Sequence, residues 1–170
     1  MRPQDYTLPP GYSVELLGDS RFGEEDAIAF WVGEGILAPE EARRRAAEIL
    51  YVGIHEEAGL VGISTAYVEV MPRLGLPLWN QRGYVTPSHR QSNLGMFFAI
   101  WGIARLRELY ESGEDTRGAG VVQVLQNEGL MRYFNKGWEP PTDMVFIGVT
   151  AEGDHVRIHP FPDAEVPLPG

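Results

Sequence analysis

The chain has 170 residues, no cysteine and a formal charge of −10, from 24 acidic and 14 basic residues. That length suits one domain with a single core, and the absent cysteine excludes a disulfide framework, a thiolate metal site and a cysteine nucleophile. The acidity argues against a broad nucleic-acid surface, and the longest apolar run, around residues 96–103, is far too short to span a membrane.

The polar, Pro-rich residues 1–12 do not read as a signal peptide, so a cytoplasmic globular domain is expected. Charge is uneven along the chain. Residues 1–60 carry five arginines against twelve acids, and residues 139–170 carry one against six. Residues 61–138 hold eight bases against six acids, so only the middle is net positive. An anionic ligand would be favoured there, unless the asymmetry is scatter in surface charge.

In chain order, residues 1–11 read as a loose leader and the alternation over 12–17 predicts a short strand. Glu24, Glu25 and Asp26 crowd the start of an apolar stretch, the bias of a helix N-terminus, and predict a helix over 25–33. Gly35 and Pro39 punctuate the chain, and Pro39 suits the first turn of a second helix over 39–50. A strand is expected at 51–54, a turn at 56–59, and a long strand at 60–71, rich in Val, Ile, Thr and Tyr. The connection 72–77 leads to a strand at 78–85, which Pro87 ends.

Leu94, Phe97, Phe98, Trp101 and Ala104 recur at helical spacing and predict a helix over 92–110, its apolar stripe read as core packing. A polar loop at 113–120, a strand at 121–125 and a short helix at 128–134 follow. Strands at 143–149 and 155–159 flank Glu152, Gly153 and Asp154, a hairpin signal, and residues 160–170 form a Pro-rich tail. The predicted order is β-α-α-β-β-β-α-β-α-β-β, an α/β (α+β) fold with a mixed sheet in one domain over 12–159.

The segment from Val85 to Gly95 carries the most chemical information. It joins a strand to a strong helix, and such a turn offers unpaired N–H groups at the positive end of the helix dipole, a site for phosphate. Arg90 adds positive charge, while Asn93 and Gly95 tolerate backbone conformations that let a ligand approach. The alternative is an ordinary N-cap by Ser92 or Asn93, with Arg90 a surface cation.

Val85-x-Pro87-x-x-Arg90-x-x-Asn93-x-Gly95 resembles the acyl-CoA-binding signature of the GNAT superfamily of N-acetyltransferases, with Asn93 where that pattern usually has glycine. The resemblance implies that Tyr84 and Val85, with the turn Arg90, Gln91, Ser92, Asn93, Leu94, Gly95 and Met96, hold acetyl-CoA or another acyl-CoA. The stretch from Asn127 to Trp138 resembles the family's later segment. There an Asn near the pantetheine arm starts a helix that carries a Tyr near the departing thiolate. Aligned from Asn127 that position falls on Phe134; aligned from Gly137 and Trp138 it falls on Tyr133. The implied fold is the GNAT-like acyl-CoA N-acyltransferase fold. The implied activity is direct attack of a primary amine, on a small molecule or peptide, upon the thioester, without a metal. A non-catalytic domain of the same fold, binding acyl-CoA or another ligand or serving as a dimerisation module, is the alternative.

Glu69, in a strand otherwise without charge, shares a face with Thr65 and Tyr67 and is the candidate base; the alternative is an exposed acid at a strand end. A histidine side chain can act as a base near neutral pH, but His89 is expected near the phosphates or in solvent. His55, His155 and His159 lack metal-ligand spacing. Asn80, Arg82 and Tyr84 share a strand face that would suit an acceptor pocket, or cross-strand pairing. By the resemblance, residues 31–37 and 72–77 are acceptor walls. Glu24, Glu25, Asp26 and Glu34 would favour a cationic acceptor if they face it, or form a solvated surface. No Walker, Rossmann or nucleophile-elbow pattern is present. A homodimer through the C-terminal strands and tail is a further expectation.

Overall fold

The computed structural model describes residues 7–166, so parts of the leader and tail, 1–6 and 167–170, lie outside the described residues. The described chain runs β1 (Tyr12–Leu16), α1 (Glu24–Gly33), α2 (Pro39–Ala46), β2 (Ile49–His55), β3 (Gly59–Met71), β4 (Leu76–Val85) and α3 (Leu94–Glu111). It continues through β5 (Gly120–Leu125), α4 (Glu128–Tyr133), β6 (Trp138–Glu139), β7 (Met144–Val149) and β8 (His155–Pro160). The strands form one mixed sheet in the order β1-β2-β3-β4-β5-β8-β7-β6. The β4–β5 pair is parallel, as a helical crossover requires, and the β1–β2, β2–β3, β5–β8, β7–β8 and β6–β7 pairs are antiparallel. Two compact units divide the described residues: an N-terminal unit of 7–66 with 83–102, and a C-terminal unit of 67–82 with 103–166.

In the N-terminal unit, strand alternation sorts side chains onto two faces. Val52, Ile54 and Ile63 pack with Ala27, Trp31 and Ala42 of α1 and α2. Tyr51, Val61 and Val85 pack with Leu94 and Phe98 of α3. A bulge in β3 breaks the alternation, since Gly53 pairs with Gly62 and Ile54 with Leu60, leaving Val61 as the extra residue. Phe98 then presses on bare backbone. A Cβ at Gly53 would lie 3.0 Å from its ring, one at Gly62 would lie 3.1 Å from the ring and 2.9 Å from the Tyr84 carbonyl oxygen, and one at Gly83 would lie 3.5 Å away.

In the C-terminal unit, Leu78, Val122 and Val156 are the buried centre, with Met71, Leu76, Ile147 and Ile158 against them. The β4–β5 ladder aligns Trp79 with Val121 and Asn80 with Val122. Beyond it Gln123 Nε2 donates to Gln81 Oε1 at 2.8 Å. The β7–β8 hairpin closes with Gly153 at φ +93°, where glycine avoids strain.

The structure corrects the predicted elements in three places. It adds β6, a two-residue strand too short for any periodicity to announce. The second helix stops at Ala46, because Ile49 and Leu50 enter β2. Residues Pro87–Ser92 form a 3-10 turn, and α3 begins at Leu94 rather than at 92. Among the described residues no helix is long and apolar enough to cross a membrane.

Candidate functional site

In the N-terminal unit, the exit from β4 is pinned first by backbone. Thr86 N donates to the Val61 carbonyl at 2.9 Å, and Pro87 opens the 3-10 turn with its fixed φ. Ser92 is buried; its hydroxyl donates to the His89 carbonyl at 2.6 Å and accepts from Leu94 N at 3.3 Å. Asn93 then takes the left-handed conformation, φ 63° and ψ 10°, which few residues other than glycine and asparagine accept readily. Its carbonyl receives the amides of Met96 and Phe97 at 2.9 and 3.2 Å and so starts α3.

The side chains divide around that turn. Leu94 and Val85 are buried in the core, so their side chains do not reach a ligand. Gln91, Asn93 and Gly95 are exposed and Met96 is half-buried. A Cβ on Gly95 would meet nothing within 4 Å, so the mouth of α3 is open there. Gly95 contributes the missing Cβ, not a left-handed φ. Arg90 is tethered: its Nε donates to the Val85 carbonyl at 3.2 Å and its guanidinium lies 5.9 Å from the Tyr84 ring centroid. An 18-residue helix with a fixed arginine at its start suits an anion with several oxygens.

The next residue back along β4 points the other way. The Tyr84 hydroxyl donates to Glu34 Oε2 at 3.2 Å, and its ring stands 6.1 Å from that of Phe30. Burial and then the Glu34 carboxylate raise the Tyr84 pKa, against the opposing effect of Arg90, so the phenol stays a donor at neutral pH. His89 is not free in solvent: its Nδ1 lies 2.7 Å from the Tyr12 hydroxyl and its ring 5.1 Å from that of His55.

The other candidates belong to the C-terminal unit. Glu69 is exposed on β3 and accepts from the Tyr67 hydroxyl at 3.4 Å, while Arg82 lies 4.3 Å over the Tyr67 ring. Asn127 caps α4, its side chain accepting from Leu130 N at 3.2 Å. Tyr133 is 73% exposed and Phe134 half-buried, their rings edge-on at 4.9 Å.

The segment after α4 is held by a residue the sequence reading missed. Arg157 is buried and donates Nη2 to the carbonyls of Phe134 and Lys136, at 2.6 and 2.8 Å. The Glu139 carboxylate lies 3.8 Å from Arg157 and accepts from Lys136 N at 2.9 Å. Burial pushes the Arg157 pKa down and Glu139 opposes it. The one available signal was an arginine between Val156 and Ile158 in an apolar strand. Among the described residues no group of three or more His, Cys, Asp or Glu is arranged to hold a metal.

No protein-family model and no curated protein matches the sequence. Solved structures do match. An acetyltransferase of the GNAT family from Streptococcus pneumoniae aligns at 10% identity over 88% of this chain and 99% of its own, with a TM-score of 0.57. The ribosomal-protein-S5-alanine acetyltransferase from Vibrio fischeri aligns at 10% identity over 92% and 97%, also at 0.57. The AtaTR complex bound with acetyl-CoA aligns at 12% identity over 90% and 95%, again at 0.57. The element order, the mixed sheet and these likenesses agree: the chain has the fold of the GNAT acetyltransferases.

Proposed function

We propose that the protein is an N-acyltransferase that passes the acetyl group of acetyl-CoA to a primary amine. The observation that carries this reading is the turn between β4 and α3: Asn93 left-handed, Gly95 open, Arg90 tethered at the mouth of a long helix. These features fit a pyrophosphate, which needs close approach to backbone N–H groups and a positive field. Two of the similar structures contain acetyl-CoA by their descriptions, which supports the choice of coenzyme.

In the reaction the neutral amine attacks the thioester carbonyl carbon. A C–N bond forms, the C–S bond breaks, the sulfur takes a proton and the nitrogen loses one. The proposal assigns Tyr84, Val85 and Arg90 to Met96 to the coenzyme, Asn127 and Phe134 to its pantetheine arm, Tyr133 to the thiolate's proton and Glu69 to the amine's proton. Binding without transfer is the second reading. It is favoured by Asn127, whose side chain is committed to capping α4, and by the exposure of Tyr133.

Acetyl-CoA at about a hundred times Kd should stabilise the fold by about 2.7 kcal/mol, a rise in Tm of about 5–10 °C. Gly95→Trp should abolish that rise. No shift with the unaltered protein would sink both readings. Given a shift, release of free thiol across a panel of amines separates transfer from binding.

A further inference from the structure

The first strand reaches the turn at the mouth of α3 through one side chain. Tyr12 opens β1, the edge strand of the sheet, and its hydroxyl lies 2.7 Å from Nδ1 of His89, 77 residues further on. A third ring completes the contact. His55 faces Tyr12 across the β1–β2 ladder, with its ring centroid 4.7 Å from that of Tyr12 and 5.1 Å from that of His89. The amides of Glu57 and Ala58 donate to His55 Nδ1 at 3.4 and 3.3 Å, long bonds that orient this ring. All three rings are half-buried and belong to the N-terminal unit.

His89 passes that contact to the backbone that shapes the turn. Its N–H donates to the Thr86 carbonyl at 2.9 Å, and its own carbonyl accepts from the buried Ser92 hydroxyl at 2.6 Å. Ser92 Oγ in turn accepts at 3.3 Å from the N–H of Leu94, the first residue of α3, with the left-handed Asn93 between the two. The 3-10 turn Pro87–Ser92 has the poorer hydrogen-bond geometry of its class, so its position depends on what fastens it. Its other side-chain hydrogen bonds run within residues 85–94. Among the described residues, Tyr12 is the side chain that hydrogen-bonds this turn to another strand.

We propose that Tyr12 and His89 are positioning residues for the coenzyme: their hydrogen bond fixes the backbone of residues 89–94 in the arrangement that receives it. The assignment rests on the reading of this turn as the acyl-CoA site. Both side chains act through the His89 carbonyl and the Ser92 hydroxyl. A turn fixed beforehand loses less conformational freedom on binding, so the tie raises affinity without adding a contact to the ligand. Coupling of this kind is reciprocal. Bound coenzyme must therefore hold β1 in place as firmly as β1 holds the turn.

Calorimetric titration of the full chain with acetyl-CoA tests it without turnover. Tyr12→Phe removes one oxygen and keeps the ring contacts, and it should raise Kd about three- to tenfold. His89→Leu should do the same, and the double variant should bind like the weaker single one, because either change breaks the same bond. His89→Asn, whose side-chain amide stands close to the place of Nδ1, should keep Kd within about twofold of the parent. Kd is read on folded protein, so lowered stability alone leaves it unmoved. Amide exchange followed by mass spectrometry gives the reciprocal readout: acetyl-CoA should slow exchange over residues 12–16 in the parent and not in Tyr12→Phe. An unchanged Kd in Tyr12→Phe, additive losses in the double variant, His89→Asn as weak as His89→Leu, or no protection of residues 12–16 in a parent that binds acetyl-CoA would each overturn the tie and leave the coenzyme reading standing. No binding by the parent would overturn the coenzyme reading and the tie with it.

Discussion

Asn93 shows how one residue sets the geometry of the turn between β4 and α3. A left-handed residue must separate the 3-10 turn from α3, and its carbonyl must face the amides of Met96 and Phe97. A non-glycine residue there costs about 1–2 kcal/mol, less for asparagine, whose short polar side chain tolerates the conformation. Asn93→Ala should therefore lower unfolding free energy by about 1 kcal/mol, and Asn93→Gly should leave it unchanged or slightly raised. Denaturant melts check this; an alanine variant as stable as the parent would mean that the left-handed turn is not kept in solution. The tolerance was legible in the sequence because it is local. The Glu34–Tyr84 contact, fifty residues apart, was not, and neither was Arg157, whose carbonyl partners lie more than twenty residues away.

At the scale of elements, three strands present glycine backbone to one ring. Phe98 is 2% exposed and lies over Gly53, Gly62 and Gly83. The tightest position is Gly62, where the obstacle is the Tyr84 carbonyl oxygen, a backbone atom that cannot rotate away. Gly62→Ala should destabilise by about 1–3 kcal/mol through overpacking, seen as a lower denaturant midpoint with an unchanged slope. A midpoint equal to the parent's would show that β3 and β4 can move apart at no cost. The sequence revealed the α3 stripe because large apolar side chains repeat every three or four residues. It did not reveal the glycine trough, since strand glycines show no period and a bulge shifts the register at Val61. The end of α2 was misjudged for a related reason. The run through Leu50 is compatible with a helix, but the backbone of residues 49–55 is paired with β3, and pairing outweighs a weak local preference.

For the whole molecule, net charge was fully legible, and the proposed function gives it a kinetic consequence. The chain carries −10, and residues 1–60, which include Glu34, hold twelve acids against five arginines. Such a field extends about 30 Å at 0.01 M salt and about 8 Å at 0.15 M. Acetyl-CoA is an anion, so under the proposed function it would approach against this field at long range and be captured only near Arg90 and the mouth of α3. A cationic amine would approach with the field throughout. The two association rates should therefore respond to salt with opposite sign. Stopped-flow measurements between about 0.02 and 0.3 M salt should show the association of a cationic amine acceptor slowing by at least about threefold, while that of acetyl-CoA holds or quickens. Parallel slowing of both would mean that the positive field of the turn outweighs the net charge even at long range. Parallel quickening would mean that the amine is not steered by the acidic segment.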